Sequence, residues 1–303
     1  MARILTDRQV VLASYNATPT TDNVVTVSEW SSLSPKVKTT EVKELGNGLG
    51  GTKSYAISDW TTVEGSITAL LRGGLPPKLA EMYKICGLVE EDETDSNGNV
   101  TASHFYPAET PVTAGNLIVY QDGLKRTIIG VAGNLKISFA VGEMVKAIFD
   151  IKGFTDAEPI SEANPAVTLD NNQIFITESI SAVTIGGDSF EIESVDFDMG
   201  VDIKEVYAIG VKEYQITDYK PVLSIKNYSD KSNQSHWADI KNGNIKAISI
   251  VLTNAAGNKF TFTANACKLT DVTESDNSGN IEESRTYLLE KDASGKNFEI
   301  TYE

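Results

Sequence analysis

From Leu135 to Lys152 the chain alternates with a period of two, interrupted once by a turn. Leu135, Ile137, Phe139 and Val141 interleave with Lys136, Ser138 and Ala140; after Gly142-Glu143, Val145, Ala147, Phe149 and Ile151 interleave with Lys146, Ile148, Asp150 and Lys152. Successive side chains of an extended strand point to opposite faces, so this pattern buries one face and wets the other. A helix of period 3.6 would scatter both sets. Two such runs joined by a short turn predict antiparallel neighbours. The pattern recurs at 61–71, where Val63, Gly65, Ile67, Ala69 and Leu71 take one face and Thr62, Glu64, Ser66 and Thr68 the other. Helical spacing is confined to Leu79, Met82, Tyr83 and Cys86, opened by Pro76-Pro77 and closed by Gly87, and to the run 235–241, closed by Asn242-Gly243. The fold expected is mainly β, with two short flanking α-helices.

One phrase occurs twice. Tyr55-Ala56-Ile57-Ser58-Asp59-Trp60 and Tyr214-Gln215-Ile216-Thr217-Asp218-Tyr219 lie 159 positions apart (214 minus 55), and each leads into a strand-like run and then a helical candidate. Self-similarity at that distance predicts two copies of one unit, and 303 residues suffice for two cores. Gly257-Asn258-Lys259-Phe260 echoes Gly133-Asn134-Leu135-Lys136 only 124 positions on (257 minus 133), which an insertion near 89–115 in the first copy would explain. The expected organisation is an arm with the first strands at 1–34, a first domain at 35–160, a linker at 161–170 and a second domain at 171–303. A change of phase near Ser194, within the alternation of 190–199, predicts a bulge.

The net charge of -16 argues against gripping nucleic acid through counterion release. No apolar run approaches the roughly 18 residues of a membrane helix, and the first residues lack the apolar core of a secretory signal, so neither membrane insertion nor secretion is expected. Cys86 and Cys267 fall in different halves and read as reduced, packed thiols. The two histidines, His104 and His236, form no metal-spaced cluster with them. Gly46-x-Gly48-x-x-Gly51 has dinucleotide-fingerprint spacing, but strand-like residues follow where a helix must open, so 45–51 reads as a hairpin tip. Glu93, Asp95, Asn97 and Gly98 resemble the start of a calcium loop; His104 stands where a bidentate carboxylate is required, and Arg285 does so in the similar run at Glu274. Both stretches read as hairpin turns, at Asn97-Gly98 and Ser278-Gly279. Glu191, Glu193, Asp196 and Asp198 read as the wet face of a strand rather than a catalytic pair. No catalytic, metal or cofactor residues are expected, and the reading is a non-enzyme.

Ser66-Ile67-Thr68-Ala69-Leu70-Leu71-Arg72-Gly73-Gly74, then a helix ending Ile85-Cys86-Gly87, then Tyr120-Gln121-Asp122-Gly123-Leu124-Lys125, Gly130-Val131-Ala132-Gly133-Asn134 and a strand at 149–154 containing Gly153, follow in an order that resembles major tail tube proteins of long, non-contractile-tailed bacteriophages. The resemblance is best over 35–160 and continues more weakly through 195–225 and 254–263; the insertion near 89–115 departs from the family pattern. It implies two tandem tail-tube-type β-sandwich or split-barrel domains, rings of three chains with pseudo-six-fold symmetry, and stacking into a virion tail tube assembled in the host bacterial cytoplasm. Implied partners are further copies of the chain, tail-tip and tail-terminator proteins at the ends, and a tape measure protein and DNA that pass through the lumen without specific binding. On this reading Glu64, Ser66, Thr68, Glu191, Glu193, Asp196 and Asp198 face an acidic lumen, and Leu45, Gly46, Asn47, Gly48, Leu49, Gly50 and Gly51 contact the adjacent ring. The alternatives are a carbohydrate-binding tandem β-sandwich adhesin and a carbohydrate-active enzyme using an acidic pair.

Overall fold

The computed structural model describes residues 8–29, 33–43, 52–110, 114–155, 158–176, 178, 180–189, 191–208, 211–229 and 235–303. The chain is mainly β, as its alternation requires. The first half comprises β1 (Gln9–Ser14), β2 (Val24–Val25), β3 (Ser34–Lys43), β4 (Thr52–Leu70), α1 (Ala80–Ile85), β5 (Leu88–Thr94) and β6 (Val100–Pro107). It continues with β7 (Gly115–Gln121), β8 (Leu124–Ala140), β9 (Lys146–Thr155) and β10 (Ile160–Ser161). The second half holds β11 (Ile180–Ile185), β12 (Asp188–Ser189), β13 (Ser194–Asp198), β14 (Val201–Ala208), β15 (Val211–Tyr219) and β16 (Val222–Tyr228). After α2 (His236–Asn242) come β17 (Ile245–Thr253), β18 (Lys259–Asn277), β19 (Asn280–Leu289) and β20 (Glu299–Tyr302).

The halves share one strand order. Antiparallel pairing runs β2-β1-β7-β8-β9-β4-β3 in the first and β12-β11-β17-β18-β19-β16-β13 in the second. β8 and β18 are the long bulged members, each pairing one neighbour along its first part and another along its second. Buried Val63 faces Gly153 across β4 and β9, as buried Leu223 faces Tyr287 across β16 and β19. The offset between copies is therefore 160 (223 minus 63) before the helix and 134 (287 minus 153) after it. The hairpin β5–β6 accounts for most of that loss, because α2 ends at Asn242 and β17 begins at Ile245 with no hairpin between them. The Gly-Asn echo is out of register: Gly133 and Asn134 lie inside β8, whereas Gly257 and Asn258 form the turn before β18.

The end of β8 pairs with β13 from Ala140↔Ser194 to Lys136↔Asp198, joining the halves in one sheet. The C-terminal β20 lies between β18 and the first-half strand β6. One core spans both, and its aromatic centre draws Tyr83 from α1, Phe105 from β6, Phe149 from β9 and Tyr302 from β20. The Tyr83 and Tyr302 hydroxyls share a 2.7 Å hydrogen bond, which satisfies two buried polar groups at once. The hairpin β5–β6 is thus a strap, carrying the first half onto the last strand of the second.

Local details follow the chemistry of the chain. α1 is shorter than its periodic run because Ala80 N–H bonds the Pro77 carbonyl in a turn before the helix starts. α2 ends on Gly243 in the left-handed conformation (φ 64, ψ 36), where a side chain would be strained. The expected bulge at Ser194 is instead a strand boundary: β13 pairs on both sides without a register shift, and the phase changes between β12 and β13. The segment 161–170 is laid along the first half, with Gly123 N–H bonded to Asn164 and Asp170 N–H to Thr26.

Candidate assembly face

Eight strands form one continuous antiparallel ladder across both halves, in the order β3-β4-β9-β8-β13-β16-β19-β18. Among the described residues β3 pairs only with β4, and β18 beyond Lys268 pairs only with β19. The ladder is therefore open at both ends. An even number of alternating strands makes the two open edges run in opposite directions. Their charges also differ: β3 carries Lys36, Lys38 and Lys43 with one acid, Glu41, whereas 270–277 carries Asp271, Glu274 and Asp276 with no base.

One face of this ladder is buried, and the other is polar outside the stretch of Ala132 and Phe154 that a hairpin covers. Val63, Ile67, Leu135, Ile137, Phe149, Val195, Phe197, Leu223 and Ile225 turn to the core. Glu64, Ser66 and Thr68 of β4 share the opposite face with Asp196 and Asp198 of β13, through the intervening β9 and β8. Glu191 and Glu193 do not join them. They precede β13 and line a cavity of about 650 Å³ at the end of the sheet, with Val141, Ile192, Lys226 and Tyr228. The tip residues Leu45 to Gly51 lie outside the described residues.

The polar face is charge-matched rather than acidic. Lys36 Nζ lies 2.8 Å from Glu64, and that hydrogen bond holds the Glu64 carboxyl below the ordinary carboxylate range. Lys136 bridges Asp150 at 2.8 Å and Asp198 at 3.7 Å, and its ammonium is raised chiefly by the Asp150 bond. Ser66 bonds the other oxygen of Asp150, Ser138 donates to Asp196 at 2.7 Å and Asn134 to Asp198 at 2.8 Å. Lys226 meets Glu282 at 3.3 Å. These lysines were legible as the alternate members of the same strands; attention to the acids alone misses them. Much of the chain's acidity sits elsewhere, for instance on the strap at Glu90, Glu91, Asp92 and Glu93.

The hairpin β14–β15 leaves the ladder after β13 and lies back across the first half. Tyr214 stacks on Phe154 with ring centroids 4.8 Å apart and planes 19° apart. Tyr214, Ile216, Phe154 and Ala132 bury one another, with Ile129, Val201 and Ile203 at the margin. The hairpin crosses the bulge of β8 at Gly130, whose φ is +61; a Cβ there would come within 2.9 Å of Glu213 Cα. Further along, Glu205 is ion-paired with Lys38 of β3.

Both histidines sit among carboxylates. His104 Nδ1 lies 2.7 Å from Glu299 and 3.2 Å from the Thr301 hydroxyl, and its Nε2 lies 3.5 Å from Glu93. His236 clusters with Glu274 and Glu283, where Arg285 already supplies the cation, 2.6 Å from Glu283 and 3.4 Å from His236 Nδ1. Cys86 and Cys267 are both buried, and burial pushes the Cys267 thiol up to about 12, away from thiolate chemistry. No protein-family model matches this chain, and a search of curated proteins finds no match.

Proposed function

We propose that this chain is a structural protein of a phage tail tube, in which copies join edge to edge into rings and the rings stack. The observation that carries the reading is the eight-stranded ladder, open at both ends, with edges antiparallel to each other and opposite in charge. Open edges expose unpaired backbone groups that invite another strand, and ring closure removes them. The joint from β8 to β13 is an internal precedent: β18 of one copy meeting β3 of the next would repeat it. Three copies contribute 24 strands (three times eight), which at about 4.8 Å spacing and about 40° tilt give a backbone circle about 48 Å across. The resemblance in the strand and turn sequences supports the same reading.

The polar face then lines the lumen. A lining whose lysines are matched by carboxylates on the same face offers phosphates little to hold, so DNA passes by absence of grip rather than by repulsion. Electron microscopy of the purified protein across a concentration series tests the proposal. Rings or tubes with a central hole are expected at high concentration. A monodisperse monomer throughout, even with preformed tail tips added as nuclei, would remove it.

A further inference from the structure

The hairpin β14–β15 has a counterpart in the first half. Tyr214 stands opposite Glu205 in β14–β15, and Tyr55, at the same place in the repeated phrase, stands opposite Thr40 in β3–β4. The strands Thr39–Lys43 and 52–56 therefore form the equivalent ribbon, and it projects from the open edge. Tyr55 is 43% exposed there, and Val42 44%, where Tyr214 is 6% exposed.

The seat has a counterpart as well. Phe154 faces Ile129 on one side and Thr62 on the other; Leu288 faces Lys268 and Val222. The Ile129–Phe154 pair lies directly before the bulge of β8, between Ile129 and Ala132, and the Lys268–Leu288 pair lies one pair before the bulge of β18, between Leu269 and Asp271. Phe154 is covered by Tyr214, whereas Leu288 is only half-buried. We propose that the β3–β4 ribbon is an exchange arm: it crosses β18 and β19 of a second copy, placing Tyr55 over Leu288 as Tyr214 lies over Phe154. The proposal rests on the ring reading and deepens it, because the ladder joint β18 to β3 brings the neighbour's ribbon to that seat. The occupant is a second copy because the chain already holds the same contact within itself. The ribbon carries Lys43 and Lys53 against one acid, Glu41, and the seat carries Asp271 beside Lys268, so charge does not oppose the contact.

The between-chain seat is not a replica. β8 passes its hairpin at Gly130, while the bulge of β18 holds Thr270, and apolar Ile129 and Ala132 give way to Lys268 and Asp271. The arm must sit higher and wetter than its internal counterpart, making the contact weaker and reversible.

Singly substituted chains decide the matter. Tyr55→Cys chains are mixed with Leu288→Cys chains under assembling conditions and treated with a short bis-maleimide, so that only a contact between copies yields the mixed dimer. Tyr55→Cys with Lys268→Cys is the second pair, should Leu288→Cys fold poorly. A control pair at the edges, Lys36→Cys with Glu274→Cys, reports the ring joint. Mixed dimer from the arm pairs, verified by peptide mapping, is the expected result. Edge dimer without arm dimer overturns the exchange arm and leaves the ring standing. Absence of both, with no rings in the microscope, overturns both.

Discussion

The molecule contains one joint twice, once closed and once open. Where β8 meets β13 the joint lies inside the chain: the ladder is continuous, a hairpin lies across it, and Ala132, Phe154, Tyr214 and Ile216 form a dry seat over a glycine. At the outer edges the same scaffold is unfilled. Its seat is built from Lys268, Asp271 and half-buried Leu288, and its facing edges carry opposite charges. The difference is what solubility demands. A contact never exposed can be apolar throughout, whereas one that must stay in water until a partner arrives has to be polar, because an open apolar patch invites the wrong partner. A chain with net charge -16 adds general repulsion, which only a complementary edge overcomes at short range.

The largest effect is expected on the closed side. Tyr302 is 1% exposed, packs on Tyr83, Phe105 and Phe260, and bonds the Tyr83 hydroxyl. Tyr302→Ala should cost about 3–5 kcal/mol in urea unfolding, through the cavity and the orphaned hydroxyl. A loss below about 1 kcal/mol would mean that the strap does not bind the halves into one core. Next comes the direct contrast between the seats. Phe154→Ala should cost the isolated chain about 3 kcal/mol, and half-buried Leu288→Ala about 1 kcal/mol. In assembly the ranking should turn over, with Leu288→Ala the more damaging in sedimentation once folded material is compared. Equal effects on assembly would end the distinction between a permanent and an exchangeable seat.

The sequence showed the faces of the strands far better than their partners. Alternation assigned Val63, Ile67, Leu135, Ile137 and Phe149 to the core and Glu64, Ser66 and Thr68 to the polar face, because period two is a local property of extended chain. The repeated phrase exposed the doubled strand order for the same reason: Tyr214 and Tyr55 need only like neighbours to look alike. Pairing is not local. Nothing in Val100–Pro107 says that Ile300 will lie beside Phe105, since any strand of suitable pattern offers the same backbone groups. The lysines on the polar face were visible in sequence, but their pairing with Asp150, Asp198 and Glu282 depends on which strands adjoin. The offset between copies falls to 134 after the helix rather than to the 124 of the Gly-Asn echo, so that echo matched residues inside a strand to residues of a turn.

Smaller effects belong to the open edges. Lys36→Glu with Lys43→Glu should raise the concentration for half-assembly about tenfold, or about 1.4 kcal/mol. Asp271→Lys with Glu274→Lys in the same chain should restore it. Added salt should weaken the unaltered protein and spare the doubly reversed one no more than it, since both pairings are screened alike. Failure of the second pair to rescue the first would show that these edges do not meet.

The smallest expected effect returns to the closed side, at the turn that delivers β20 to the strap. Asp292 accepts from the Ser294 hydroxyl at 2.6 Å, from Ser294 N–H at 2.8 Å and from Asn265 at 2.8 Å. These bonds, the Ser294 hydroxyl foremost, hold its carboxyl down at about 2. A folded value below the unfolded one stabilises the fold above the ordinary aspartate range near pH 4, and the contribution is lost as pH falls through about 2. Asp292→Asn keeps an acceptor but removes the charge, so it should cost about 1 kcal/mol at neutral pH after solvent screening. The gap between the two urea midpoints should narrow steadily from pH 5 toward pH 2. A gap independent of pH would assign the stabilisation to the shape of the turn. The delivery of β20 would then depend on turn geometry alone, and ionisation of Asp292 would have no part in holding the halves together.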